Sequence, residues 1–315
     1  MTIKVIKPGM LSSFQDTGRH GYQHWGVPVT GVMDENAHAL CNFLVGNPVS
    51  YSSLEMTLLG PTLCFQAKTV IALAGADLGA QLDGAPLKPG HCVRVSPGTV
   101  LSFGKREYGA RCYLAVSGGF LIKPVLNSAS TYARGGFGGL RGRTLKAGDL
   151  IPICSSFANP PRVGPLSESA LYGNTESKDI RVLAGREWND FSTRSQQDFL
   201  GCTYTLTNES DRMGYRLEGE PLVLNAPKEL LSESVAFGTV QVPSSGQPLI
   251  LMADRQTTGG YPRIAQVASV DLPRLAQLLP GDEVRFSLID LVTAEQLILS
   301  RARAFKTMGV FNAQH

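Results

Sequence analysis

The sequence of 315 residues has no apolar run approaching the roughly 18 residues that cross a bilayer, and its opening, Met1-Thr2-Ile3-Lys4-Val5-Ile6, lacks the long apolar stretch of a secretion signal. A cytoplasmic protein is the expectation. There is no C-x-x-C pair: Cys41, Cys64, Cys92, Cys112, Cys154 and Cys202 stand far apart, mostly inside apolar segments, and read as small buried hydrophobes rather than zinc or redox ligands. There is no Lys/Arg-rich run either. The net charge of +3 is spread along the chain, which argues against nucleic acid or a membrane surface as a partner. Neither G-x-x-x-x-G-K-[ST] nor G-x-S-x-G occurs, and the histidines are only His20, His24, His38, His91 and His315, so neither a nucleotide P-loop nor a Ser-His-Asp triad is expected. His20 and His24 have i, i+4 spacing, but Gly21 between them opposes a helix, and no metal site is expected. Chemistry, if present, falls to carboxylates, amides, arginines and bound partners.

What is abundant points to β-structure. Hydrophobic residues make up 43%, enough for a large core, while 34 Gly and 19 Pro imply many turns. The length suggests two domains of roughly 150 residues each. Residues 69–75, 79–87, 91–104 and 110–119 read as short strands, with Asp83-Gly84 as a type I′ hairpin turn. Strand-like pieces recur at 180–184, 203–207, 221–224, 248–252 and 283–289. A helix is predicted from Glu35 to Val45, capped by Asp34, with Ala37, Leu40, Cys41, Leu44 and Val45 forming one apolar face. Two more are predicted: Leu272–Leu279 capped by Asp271, and Ala294 to about Met308 opened by a Thr293-x-x-Gln296 capping box. Residues 155–179 are rich in Pro, Ser and Asn. The expected organisation is a β-barrel-like domain over 1–160, a linker over 161–179 and a second β-barrel-like domain over 180–315. Lys88–Val95 resembles Leu279–Phe286, each a Pro-Gly turn feeding a strand, which suggests a duplicated unit.

Four stretches combine polar groups with glycine. In FQDTGRHGYQHWGVPVTGVMD (14–34), Gln15, Asp16 and Arg19 can bind a small polar ligand, or Asp16 and Arg19 can pair internally to fix the loop. SASTYARGGFGGLRGR (128–143) can form an anion nest, or be a flexible solvent-facing connection. NESDRMGYRLEG (208–219) places Arg212 and Tyr215 beside an acid. ADRQTTGGYPRIA (253–265) follows an apolar strand and carries Asp254, Arg255, Gln256, Thr257 and Tyr261, with Gly259-Gly260 permitting close backbone approach.

Taken in order with CNFLVGN, LEMTLLGPTLCF, YLAVSGGF, GTVQVPSSGQPLILM and LAQLLPGDEVRF, these segments resemble the KipA-like biotin-dependent carboxyltransferase family, also called allophanate hydrolase subunit 2, which includes the C subunit of 5-oxoprolinase. The resemblance runs from about residue 3 to 290. It implies a mainly β fold with a few helices, built as two tandem cyclophilin-like β-barrel halves. It also implies partners: KipI-like and LamB/YcsF-like subunits, which together with such a chain form an ATP-dependent 5-oxoprolinase that opens 5-oxo-L-proline to L-glutamate. Two alternatives go with it, a carboxyltransferase component moving a carboxyl group from carboxybiotin to urea or a related amide, and a non-enzymatic regulator that binds a KipI-like kinase inhibitor. The segment Leu183-Ala184-Gly185-Arg186-Glu187 departs from the family pattern, in which a Gly-Pro often stands at this turn.

Both substrates hold an amide. Its carbonyl needs hydrogen-bond donors where charge develops, and its N–H needs an acceptor or base. Within the family motifs, Asp16 and Asp254 are the expected catalytic acceptors or bases. Gln15, Arg19, Arg212, Tyr215, Gln241, Arg255, Gln256, Thr257 and Tyr261 are the expected substrate-binding residues. No cofactor is expected on this chain itself. The Met-Lys signature of biotin attachment is missing, since Lys68, Lys105 and Lys306 have the wrong context, so ATP belongs to the complex and biotin only to the carboxyl-transfer alternative.

Overall fold

A computed structural model describes residues 1–154 and 179–307. The expected linker, 161–179, lies outside these residues except for Asp179, as does Met308 of the last predicted helix. Two compact units account for the described residues: 1–19, 30–154 and 305–307 in the first, 20–29 and 179–304 in the second. Both are built on β-sheet, in keeping with the mainly β expectation.

The first unit contains β1 (Thr2–Lys7), β2 (Leu11–Gln15), α1 (Glu35–Leu44), β3 (Ser53–Thr57), β4 (Thr62–Phe65), β5 (Thr69–Asp77), β6 (Ala80–Leu82), β7 (Ala85–Pro86), β8 (His91–Val95), β9 (Val100–Phe103), β10 (Tyr108–Val116) and β11 (Leu150–Pro152). They form a six-stranded sheet, β11-β1-β4-β9-β6-β7, and a five-stranded sheet, β2-β3-β10-β5-β8. Side chains from both sheets share one core: Ile3, Val5, Leu63, Phe65 and Leu101 from the first meet Phe14, Leu54, Met56, Ile71 and Leu114 from the second.

Strand periodicity explains why β5 and β10 are buried on both faces. In β5, Ile71 and Leu73 enter that core while Val70, Ala72 and Ala74 face the other way; in β10, Leu114 and Val116 point inward and Tyr113 and Ala115 outward. The outward set is covered by Ala37, Leu40, Cys41, Leu44 and Val45, the apolar face predicted for α1. Asp34 caps that helix as expected, its Oδ1 accepting the Ala37 N–H at 2.9 Å. The Asp83-Gly84 turn also forms as predicted, with φ of 49° and 85°, the two positive values a type I′ turn requires.

The second unit contains β12 (Ile180–Ala184), α2 (Thr193–Gly201), β13 (Tyr204–Leu206), β14 (Gly214–Glu218), β15 (Glu233–Ser234), β16 (Thr239–Gln241), β17 (Leu249–Leu251), β18 (Thr258–Gly259), β19 (Arg263–Val267), α3 (Leu272–Leu275), β20 (Glu283–Val284), β21 (Phe286–Leu288) and α4 (Leu291–Thr307), whose last turn counts with the first unit. Eight strands run in the order β20-β13-β14-β17-β16-β19-β12-β21. The two edge strands of this sheet are consecutive in the chain, separated only by Arg285. Residues 283–288 pair antiparallel with β13 at one end and parallel with β12 at the other, so the sheet closes on itself as a barrel. Val284 and Phe286 point into its core, where Phe286 stacks on Phe199 of α2 at 4.5 Å.

Several expectations fail for identifiable reasons. Asp271 does not cap α3: its carboxylate is taken by Arg181, through the backbone N–H at 2.8 Å and Nε at 2.9 Å, and by Arg274. That helix ends at Leu275 rather than Leu279. The last helix starts three residues before the predicted Ala294, and its cap is Asp290, which accepts the Thr293 N–H at 2.7 Å; the Thr293-x-x-Gln296 pattern lies inside the helix. Residues 221–224 form no strand beyond a bridge between Leu224 and Phe191. The 128–143 stretch is not a solvent-facing connection throughout, because Ser128, Ser130 and Thr131 are buried at 1% exposure or less. Among the described residues no helix is long and apolar enough to cross a membrane.

Candidate functional site

In the first unit, Gln15 ends β2 and Asp16 begins the glycine-rich loop. Asp16 Oδ1 accepts from Ser130 Oγ (2.6 Å), Ser128 Oγ (2.7 Å) and the Gly18 N–H (2.9 Å), and Oδ2 accepts from the Ala129 N–H (2.6 Å). Burial alone would raise its pKa, but the hydroxyls of Ser130 and Ser128 and the amides of Gly18 and Ala129 outweigh it and hold the carboxyl below its ordinary value. The donors on Asp16 are hydroxyls and amides rather than the Arg19 guanidinium, so the internal ion pair considered above does not form.

Arg19 instead acts as a staple. It is fully buried, with Nε donating to Val125 O (2.9 Å), Nη1 to Thr30 Oγ1 (3.0 Å) and Nη2 to Ser130 O (2.8 Å), and its guanidinium lies 4.9 Å from the Phe137 ring centre. A Cβ on Gly138 would come within 2.0 Å of Ser130 O and 2.9 Å of Arg19 Nη2, so glycine is required there. Gln15 gives its Nε2 to Ser13 Oγ (2.9 Å) and Thr131 O (3.3 Å), while its Oε1 is buried without a hydrogen-bond partner among the described residues.

A second polar network in this unit involves residues that sequence reasoning passed over. Tyr113 Oη donates to Glu55 Oε2 at 2.7 Å and accepts the Asp34 N–H at 2.8 Å, while the Met33 N–H donates to the same Glu55 oxygen. His38 is buried between Ser53 Oγ (2.7 Å) and Val49 O (2.8 Å), and desolvation lowers its pKa. The Val49 carbonyl can only accept, so Nε2 carries a hydrogen; burial favours the neutral ring, in which Nδ1 accepts from the Ser53 hydroxyl. The available signal was His38 on the apolar side of a helix and Glu55 alternating with Leu54 and Met56.

In the second unit, Arg212 and Asp254 form a buried bidentate pair, Nε to Oδ2 at 3.0 Å and Nη2 to Oδ1 at 2.9 Å. Arg255 is also buried, but its hydrogen bonds go to carbonyls, Val235 O (3.3 Å) and Met252 O (3.4 Å), with the Phe237 ring centre 5.9 Å away. Burial, with no anionic partner among the described residues, lowers its pKa to about 10. Gln241, at the end of β16, is fully buried. Its Nε2 reaches Tyr261 O at 3.4 Å, and its Oε1, like that of Gln15, has no hydrogen-bond partner among the described residues. Tyr215 lies inside β14 at 2% exposure, part of the core rather than a surface. Gln256 and Thr257 are half-buried, and Tyr261 is 50% exposed.

The loop after Asp254 leads to a small cavity of about 180 Å³. One wall is the β15–β18 ribbon, in which Glu233 pairs with Gly259. The other is made by Arg186 and Glu187, just after β12, and by Arg263 of β19; the chain passes so close there that a Cβ on Gly185 would meet Arg263 O at 2.2 Å. Charged groups dominate the lining: Arg186, Lys228, Glu233 and Arg263, with Tyr261 and Leu231 at the rim. Arg263 is locked by Glu187 through Nε (2.8 Å) and Nη2 (2.8 Å), and also donates to Glu233 (3.0 Å). These contacts raise the Arg263 pKa and lower those of Glu187 and Glu233. Arg186 pairs with Glu233, and Lys228 with Asp190 at 2.7 Å. Of the expected site residues, only Tyr261 lines this cavity; Arg186 was marked in the sequence only as part of the turn that departs from the family pattern, and Lys228, Glu233 and Arg263 were given no role there.

Known proteins share this sequence and fold. The carboxyltransferase domain family, subdomains A and B, matches residues 25–288. The C subunit of 5-oxoprolinase from Escherichia coli (strain K12) is 39% identical over 98% of this chain and 97% of its own length. Its counterpart of the same name from Haemophilus influenzae is 38% identical over 94% of each. The crystal structure of the Kluyveromyces lactis urea carboxylase matches all of this chain with a TM-score of 0.89 and 30% identity, over 30% of that longer chain.

Proposed function

Because the chain belongs to the family of the carboxyltransferase domain, subdomains A and B, we propose that it serves as the C subunit of an ATP-dependent 5-oxoprolinase. In this reading it works in the cytoplasm with KipI-like and LamB/YcsF-like subunits to open the lactam of 5-oxo-L-proline to L-glutamate. Similarity carries the reading: the chain is 39% and 38% identical to two bacterial proteins of that name across 97% and 94% of their lengths, against 30% identity to the urea carboxylase. The test is co-expression with the two partners and measurement of ATP-dependent glutamate release from 5-oxoproline. Absence of release from the complete set, beside a working complex assayed in parallel, would exclude it.

Within this reading the substrate lies against the 253–265 loop, with Gln256, Thr257 and Tyr261 as the orienting groups. ATP is consumed by the complex rather than held by this chain. Asp16 and Asp254 enter as bases only by releasing donors, since four hydrogen bonds hold the first and a bidentate arginine the second. Their more direct contribution is to hold the loops in place.

The match of the whole chain to a urea carboxylase supports a second reading, carboxyl transfer to an amide. Carboxybiotin would then be a substrate brought by another protein segment. Substrate-dependent consumption of carboxybiotin across a panel of small amides separates the two readings.

A further inference from the structure

A protein that handles 5-oxoproline must recognise a carboxylate that urea lacks. The arginines expected to do so are committed elsewhere: Arg19 to carbonyls and a hydroxyl at zero exposure, Arg212 to Asp254, and Arg255 to carbonyls beneath the surface. The cavity beside Tyr261 offers cations that are reachable, the Arg186 side chain being 66% exposed and that of Lys228 47%.

Their donors are only partly used. Arg186 gives Nη1 to Glu233 while its Nε stands 3.9 Å from Glu187, and Lys228 gives one of its three N–H bonds to Asp190. Nη2 of Arg186 and two ammonium hydrogens of Lys228 therefore remain for a ligand. Glu187 and Glu233 also line the cavity, but Arg263 engages both carboxylates, offsetting their charge. The rim adds Leu231 at 88% exposure, an apolar side chain for ring methylenes, and the Tyr261 hydroxyl. A volume of about 180 Å³ is below the roughly 300–1,000 Å³ of drug-sized sites and suits a single small ring.

We propose that this cavity is a site for a small cyclic monocarboxylate, in which Arg186 and Lys228 bind the carboxylate and Leu231 and Tyr261 flank the ring. Resting on the 5-oxoprolinase reading, it identifies Arg186 and Lys228 as the specificity-determining residues that distinguish 5-oxoproline from uncharged amides. The sequence reading placed carboxylate binding elsewhere.

The experiment is calorimetric titration of the full chain with 5-oxo-L-proline and with pyrrolidin-2-one, the same lactam without its carboxylate. The wild type is expected to prefer 5-oxoproline. Combining Arg186→Met with Lys228→Met is expected to weaken 5-oxoproline binding about tenfold, as loss of charge-assisted hydrogen bonds does, and to leave pyrrolidin-2-one unchanged. Arg186→Lys, which keeps the charge, is expected to retain part of the preference. No measurable binding, no preference in the wild type, or an undiminished preference in the double variant overturns the inference. Turnover by the complex of all three proteins is followed in parallel. An inactive wild-type complex counts against the 5-oxoprolinase reading, whereas an active complex whose KM for 5-oxoproline is unmoved by the double substitution overturns only the role of this cavity.

Discussion

Asp254 and Arg212 meet end to end, two parallel N–H···O bonds of 3.0 and 2.9 Å joining side chains that are both buried. The Asp254 N–H also donates to Arg212 O at 2.7 Å, so backbone and side chains tie the 208–219 stretch to the start of the 253–265 loop. Removing one partner of such a pair strands a charge, which costs about 3–5 kcal/mol. Asp254→Ala should therefore lower unfolding free energy by that order in chemical denaturation of the isolated chain. Unchanged stability together with lost turnover in the complex would instead identify Asp254 as the base.

Acid should destabilise the first unit in two stages. His38 is buried neutral, with its pKa lowered by desolvation, so its contribution is present above the ordinary value of 6.5 and is lost as pH falls below it. Asp16 has a lowered pKa as well; its contribution is present above 3.8 and is lost as pH falls through its folded value. Urea midpoints measured from pH 8 to pH 2 should drop first as pH falls below 6.5, a step that His38→Gln removes. A second drop should follow below about pH 4, flattened by Asp16→Asn. A wild-type midpoint flat from pH 8 to 5 would contradict the buried neutral imidazole.

Adjacent glycines in the 253–265 loop should respond differently to alanine. A Cβ on Gly259 would stand 2.6 Å from Nε2 of the fully buried Gln241 side chain, which would have to shift, whereas on Gly260 the nearest atoms are 3.3 Å away. Overpacking of the first kind costs roughly 1–3 kcal/mol. Thermal midpoints of Gly259→Ala and Gly260→Ala test the order: the first should fall clearly below the second, and the reverse order would refute the close approach of β18 to Gln241.

The α1 face, the Asp34 cap and the Asp83-Gly84 turn were legible in the sequence because each depends on neighbours a few residues apart. Asp271 misled for the opposite reason. Its position suits a cap, yet Arg181, ninety residues away in the chain, claims the carboxylate. The same limit applies to the site. The acid and arginine clusters were visible as composition, but whether a charge is committed or available depends on long-range partners, as Ser128 and Ser130 are for Asp16 and Glu187 is for Arg263. Closure of the second sheet was equally hidden, because it rests on one stretch, 283–288, pairing with β13 and β12 at opposite edges.

Arg255 provides the sharpest separation of stability from function. It carries a buried guanidinium whose hydrogen bonds are long contacts to the Val235 and Met252 carbonyls, and burial lowers its pKa to about 10. Desolvating a cation without an anion is costly, so a residue kept only for folding would serve better as an apolar one. Arg255→Met should therefore leave stability unchanged or raise it, within about 2 kcal/mol, because the methionine fills similar space and removes the buried charge. Turnover of the assembled complex should fall at least tenfold if the charge is retained for an anionic group of a partner subunit. Parallel measurement of denaturation midpoint and kcat/KM decides the matter. A variant that unfolds more easily yet turns over normally would make Arg255 a structural residue and leave its two carbonyl contacts as the reason for its presence.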